Sequence, residues 1–222
     1  MYLCSKLKLY LVLESNLLKL PLEKFLEEVL KAGVGVIQLR DKYNTYDEKL
    51  KTGSIIREIT EKYKSIFIVN DSIDLAVKLK ADGVHLGIND GYIKSIKATN
   101  PNIIIGYSCN NLEDSIKAEQ YADYVGIGPY KETNTKKDHR AVLGAKGISD
   151  IVKSITIPSV AIGGINLENA KDVLKGNTTG LAVSSYLCSS IQPYDDALKL
   201  MEDCYRKLGL NMPADNTSKV IS

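Results

Sequence analysis

The sequence predicts an α/β chain folded as a (β/α)8 barrel, the TIM-barrel class, and three observations carry that prediction. Eight short runs of Val, Ile, Leu and Tyr recur along the chain, stretches with helical spacing lie between them, and no glycine-rich turn follows the first run. Continuous apolar strands alternating with helices describe a parallel sheet covered on both faces. Eight such units within 222 residues have the size of a closed barrel. The competing architecture, an open doubly wound sheet, would normally place a GxGxxG turn after its first strand, where this chain reads "LVLESN".

The elements follow in order. "LKLYLVLE" (7–14) is the first strand, and "LEKFLEEVLKAG" after it spaces Leu22, Phe25, Leu26, Val29 and Leu30 along one helical face, with Gly33 as the stop. "GVIQLR" (35–40) begins as a buried strand, but Val36, Gln38, Arg40 and Lys42 fall on one face and Ile37 and Leu39 on the other, so one face turns polar at its end. "YDEKLKTGSIIREITEKY" is a helix with Leu50, Ile55, Ile56 and Ile59 inward, followed by strand "SIFIVN" (65–70) and helix "IDLAVKLK", which Asp71 or Ser72 could cap. "GVHLG" (83–87) precedes "GYIKSIKA", with Asp90 as a candidate cap; "NIIIGYS" (102–108) precedes "NLEDSIKAEQ", capped by Asn111. "YVGIG" (124–128), "IPSVAIGG" (157–164) and "GLAVSS" (180–185) complete the strands, and Gly176 closes "LENAKDVLKG". No linker divides the chain, so one domain is expected over 1–210, and 211–222, without periodic apolar pattern, is expected to be a frayed tail.

Composition narrows the function classes. The chain is 44% hydrophobic and 25% charged, the make-up of an ordinary folded domain. A net charge of +2, with no window of basic and aromatic residues, argues against nucleic acid and for small-molecule partners. Lys6 and Lys8 interrupt the apolar N-terminal region and no long apolar run occurs, so no membrane span is expected and a cytoplasmic location is. Cys4, Cys109, Cys188 and Cys204 are widely separated and read as free thiols. A homo-oligomer is left open.

In a barrel of this kind the active site lies at the C-terminal ends of the strands. Strand 2 ends in Gln38, Arg40 and Lys42, strand 3 in Asn70 and Asp71, and strand 4 leads to Asn89 and Asp90; strand 5 reaches Ser108. Asp71 and Asp90 follow neighbouring strands and could share one hard cation such as Mg2+, although each taken singly reads better as a helix cap. Gly163, Gly164, Ser184 and Ser185 end strands 7 and 8, where barrels commonly bind phosphate. The segment after strand 6 carries Thr133, Thr135, Lys136, Lys137, His139 and Arg140, a basic lid or a solvated loop. His85 and His139 each read as structural or solvated, and no Ser/His/Asp or Cys/His constellation is present. Two anion sites on opposite sides of one mouth imply two phosphorylated groups held at once.

Taken together, "QLRDK", "VND", "VHLGIND", "GYS", "GPYKETNTK", "AIGGI" and "AVSS" resemble the thiamine-phosphate synthase family from about residue 8 to residue 205. The resemblance implies condensation of an aminomethylpyrimidine methyl diphosphate with a thiazole phosphate carboxylate, releasing diphosphate and CO2, with departure of diphosphate first. It implies that Gln38, Arg40, Lys42, Asn70, Ser108 and Lys136 contact the pyrimidine diphosphate, that Asp71 and Asp90 bind Mg2+, and that Thr133, Thr135, Gly164, Ser184 and Ser185 contact the thiazole phosphate. Ser108, Lys136, Arg40 and Lys42 are the expected catalytic residues. Two positions depart from the family pattern: Ile88 stands where Gln is usual, and Asn110 stands in the histidine place of GxSxH. The related thiazole tautomerase depends on that histidine and lacks the paired aspartates and TxTK. A sugar-phosphate isomerase or epimerase, or an inert binder of phosphorylated metabolites, are the remaining alternatives on this barrel.

Overall fold

A computed structural model describes residues 2–87, 93–132, 141–207, 209 and 212. Its eight parallel strands are β1 (Leu9–Leu13), β2 (Val36–Leu39), β3 (Ile66–Asn70), β4 (Gly83–Leu86), β5 (Ile104–Cys109), β6 (Tyr124–Ile127), β7 (Ser159–Ile162) and β8 (Gly180–Val183). They pair in chain order, and β1 pairs with β8 through Leu9↔Leu181 and Leu11↔Val183, which closes the barrel. All eight expected strands are present, each within the run of apolar residues that predicted it except β5, which extends one residue beyond its run to Cys109.

The helices are α1 (Tyr2–Lys6), α2 (Leu22–Lys31), α3 (Tyr46–Lys62), α4 (Ile73–Lys78), α5 (Ile93–Thr99), α6 (Leu112–Glu119), α7 (Gly144–Val152), α8 (Ala170–Leu174), α9 (Ser185–Cys188) and α10 (Pro193–Lys207). No helix among the described residues is long and apolar enough to cross a membrane. Helix α1 was not legible in the sequence; it precedes β1, and Leu3 packs on the apolar floor of the barrel. The stop after α2 is Gly33, at φ 102°, as expected. After α8 the left-handed residue is Asn177, at φ 62°, and not Gly176, because an Asn side chain also tolerates that backbone.

Strand alternation creates two cores. Outward residues such as Leu11, Ile37, Phe67, Val84 and Leu181 pack under the helix ring together with Phe25, Leu26, Ile56 and Leu200. Inward residues Tyr10, Val12, Val36, Ile66, Ile68, Tyr124, Val160 and Ala182 fill the barrel itself. A barrel of eight strands has an interior just wide enough for side chains, so it is a packed core and its chemistry is confined to the carboxyl-end mouth.

Candidate active site

The polar edge of β2 points inward as its alternation requires. Gln38 is buried at 2% exposure, and Arg40, one residue past the strand, keeps the same parity at 8%. Arg40 N donates to Leu13 O at 2.9 Å, which extends the pairing with β1. Its guanidinium Nη1 donates to Glu14 Oε1 at 2.7 Å, and Ser184 Oγ, from the end of β8, donates to the same oxygen at 3.2 Å. A buried carboxylate therefore ties the two arcs of the mouth together, and the guanidinium compensates its charge. Asp41 points elsewhere: it accepts from Ser15 N and Ser15 Oγ, both at 2.7 Å, and clamps the β2 loop to the β1 loop. Lys42 lies in the following turn and is exposed, beyond the reach of strand alternation.

Below this rim a line of hydrogen bonds crosses the barrel. Gln38 Nε2 donates to Tyr10 Oη at 2.6 Å, Tyr10 Oη lies 2.8 Å from Tyr124 Oη, Tyr124 Oη lies 3.0 Å from His85 Nδ1, and His85 Nε2 lies 2.9 Å from Ser108 Oγ. The line joins β2, β1, β6, β4 and β5. Room for it comes from Gly106 on β5, where a Cβ would run into the Tyr124 ring and approach His85 Nδ1. Burial pushes the phenols of Tyr10 and Tyr124 up, so both keep their protons.

At the end of β3, Asn70 is half-buried and Asp71 is exposed, with φ 63° and its N–H donating to His85 O at 2.9 Å. The cap of α4 is Ser72, whose Oγ accepts from Leu75 N at 3.2 Å. The capping alternative thus falls to Ser72, and the Asp71 carboxylate is not needed for it. Among the described residues no group of three or more His, Cys, Asp or Glu gathers. A carboxylate beside an amide is an all-oxygen donor set, which suits a hard cation that retains most of its waters. Asp90, Asn89 and Ile88 lie outside the described residues, although β3 and β4, the strands that lead to Asp71 and Asp90, are paired.

The opposite arc is built from backbone. Gly163 and Gly164 follow β7 at φ 101° and 66°, both left-handed, and a Cβ on Gly163 would approach Pro129 to 2.6 Å. Tyr130 N donates to Ile162 O at 2.8 Å and Lys131 N to Gly163 O at 3.1 Å, so the β6 loop begins packed on this turn. Ser184 is half-buried and Ser185, the first residue of α9, is exposed. Thr133, Thr135 and Lys136 lie outside the described residues, as do Lys137, His139 and Arg140.

Asn110, in the place of the tautomerase histidine, donates through Nδ2 to Gly128 O at 2.9 Å and Ala141 O at 3.0 Å. Both amide hydrogens are occupied in holding the ends of the β6 loop together, and an amide does no acid–base work. Gln38, Arg40, Asn70, Asp71, Ser108, Gly164, Ser184 and Ser185 are brought to one end of the barrel. Sequence reasoning missed Glu14, Tyr10 and Tyr124 and undervalued His85. Glu14 could have been found by the rule that found Arg40, since it continues the inward parity of β1 past its end. The tyrosines gave no signal, because a Tyr within an apolar strand reads as core.

A closed barrel with its polar side chains gathered at the carboxyl ends of the strands is the architecture of a barrel enzyme. The family model described as thiamine monophosphate synthase matches residues 9–187. A thiamine-phosphate synthase of Pyrococcus furiosus is 40% identical over 204 residues, covering 91% of this chain and 95% of that protein. One of Methanococcus maripaludis is 42% identical over 182 residues, covering 82% and 86%. The solved structure of thiamine phosphate pyrophosphorylase from Pyrococcus furiosus superposes with a TM-score of 0.85 at 38% identity, over 93% of this chain and 100% of that one. The chain belongs to the thiamine monophosphate synthase family and is a transferase of thiamine biosynthesis.

Proposed function

We propose that the chain condenses 4-amino-2-methyl-5-(diphosphooxymethyl)pyrimidine with the phosphorylated thiazole (carboxylate) to give thiamine phosphate, diphosphate and CO2, in a Mg2+-dependent reaction. The observation that carries this reading is the division of the mouth: the polar side chains of Gln38, Arg40 and Ser108 on the arc from β2 to β5, and the turned backbone of Gly163–Gly164 with Ser184 and Ser185 on the arc of β7 and β8. One arc suits a multiply charged leaving group and the other a phosphate monoester held by main-chain N–H groups.

In the first step the methylene C–O bond breaks and diphosphate leaves with the electron pair. Arg40, Lys42 and Lys136 stabilise the charge that grows on it, with Ser108 and Asn70 as hydrogen-bonding partners. Gln38 holds the pyrimidine, so that the methylene carbon stays in line with the thiazole nitrogen, whose lone pair then forms the C–N bond. Loss of the thiazole carboxylate as CO2 completes the product. When bound, Mg2+ held by Asp71 and Asp90 would neutralise part of the charge of the diphosphate. Thr133, Thr135, Gly164, Ser184 and Ser185 would hold the thiazole phosphate and so fix the attacking nitrogen.

The tautomerase alternative loses support from Asn110, whose amide is committed to two carbonyls. The deciding experiment is diphosphate release from the two purified substrates with and without Mg2+. Release that requires both substrates and the metal supports the synthase; no thiamine phosphate under any condition rejects it.

A further inference from the structure

The hydrogen bonds beneath the mouth have a direction, set by which end of the Gln38 amide meets Tyr10. Gln38 Nε2 only donates, and its hydrogen goes to Tyr10 Oη at 2.6 Å. Tyr10 keeps its own proton, and Tyr124 Oη, at 2.8 Å, is the acceptor in contact with it. Reversing that bond would strand the Tyr10 hydrogen at a site only 1% exposed, and a buried unmade hydrogen bond is costly. The Tyr124 hydrogen accordingly passes to His85 Nδ1 at 3.0 Å. A ring that accepts at Nδ1 is neutral with its proton on Nε2, and that N–H donates to Ser108 Oγ at 2.9 Å. The hydrogen of Ser108 is the one left over, and among the described residues no acceptor is in contact with it.

We propose that Tyr10, Tyr124 and His85 are positioning residues that orient this line from β2 to β5, so that Ser108 meets the leaving diphosphate as a hydrogen-bond donor while Gln38 keeps its amide oxygen as an acceptor for the pyrimidine. The opposite polarity is chemically well defined. A Gln38 amide turned over would place its oxygen at Tyr10, reverse every bond, move the His85 proton to Nδ1 and commit the Ser108 hydrogen to the ring. Ser108 would then offer only lone pairs to an anion. The two ends are on strands three apart in the barrel, and the tyrosine pair couples them: each hydroxyl has a single hydrogen to give, so the orientation of Gln38 sets that of Ser108.

The inference rests on the thiamine-phosphate synthase reading for the identity of the ligand, but its first test needs no substrate. The chain has two histidines, so 15N-histidine labelling gives two imidazole signals, and a His139→Gln variant assigns them. The expected result is His85 protonated on Nε2 with an unprotonated Nδ1; a proton on Nδ1 overturns the proposal. The second test is Tyr124→Phe, which removes the hydroxyl and keeps the ring. It should lower kcat about tenfold, the scale of one buried hydrogen bond, leave KM for the thiazole phosphate unchanged, and cause a clearly smaller further loss in a Ser108→Ala background, the share carried through Gln38. An undiminished kcat, or losses that multiply in the double variant, overturn it. The expected tautomer in a protein that releases no diphosphate would reject the reaction and keep the line. The reverse tautomer in an active enzyme would reject the line and keep the reaction.

Discussion

Arg40 and Glu14 form an ion pair of 2.7 Å at the rim of the barrel, with 8% and 10% of their side chains exposed. The pair holds the guanidinium where β2 ends, and Ser184 shares the carboxylate from the far arc. Breaking a buried pair from one side leaves an uncompensated charge, which is worse than removing both partners. Arg40→Ala is expected to destabilise the fold by about 3 kcal/mol and abolish turnover. Arg40→Leu combined with Glu14→Leu should recover most of that stability with turnover still absent. Denaturant unfolding of the single and double variants reads this; equal stabilities would mean that Glu14 is hydrated in solution.

Asp71 sits at φ 63°, a backbone that Asn tolerates and Ala does not, so Asp71→Asn is the clean substitution. It should lower turnover by about a hundredfold or more with an unchanged melting temperature, because Ser72 and not Asp71 caps α4. Ser72→Ala should do the opposite, costing about 1 kcal/mol of stability and little activity. Excess Mg2+ restoring part of the Asp71→Asn turnover would support a metal role, and full turnover without it would exclude one.

Gly106 and Gly126 are neighbouring inward glycines with different surroundings. A Cβ on Gly106 would enter the Tyr124 ring, whereas on Gly126 its nearest contact is His85 Cε1 at 3.4 Å. Gly106→Ala is expected to cost about 1–3 kcal/mol and to depress kcat by displacing the His85–Tyr124 contact. Gly126→Ala should cost little, and thermal melts of the two variants side by side test the contrast.

Ser185 is exposed at the end of the phosphate arc. Ser185→Asp should raise KM for the thiazole phosphate about tenfold or more by like-charge repulsion, while KM for the pyrimidine diphosphate stays near its original value. Steady-state kinetics with each substrate varied in turn gives the answer; parallel rises in both constants would place Ser185 elsewhere in the mechanism.

All four cysteines are free, with Cys109, Cys188 and Cys204 buried and Cys4 partly exposed. Burial pushes the thiols of Cys188 and Cys204 up to about 12, so neither ionises near neutral pH. A thiol reagent at pH 8 should modify Cys4 quickly and the other three only on unfolding. Fast modification of two or more in the native protein would contradict this burial.

The sequence by itself determined the barrel, because apolar runs and helical spacing are local patterns set by which faces of each element must be buried. It also determined that Gln38 and Arg40 face inward, since strand alternation needs no partner to be known. Tertiary structure alone decided what those residues touch. Gln38 reaches Ser108 only through Tyr10, Tyr124 and His85, and the Tyr10–Tyr124 bond joins positions 114 residues apart; Glu14 meets Arg40 only because β1 pairs with β2, and Ser184 only because β8 closes on β1. A hydroxyl or a carboxylate gains its role from the few partners that burial leaves within reach, and closure of the ring is what selects them.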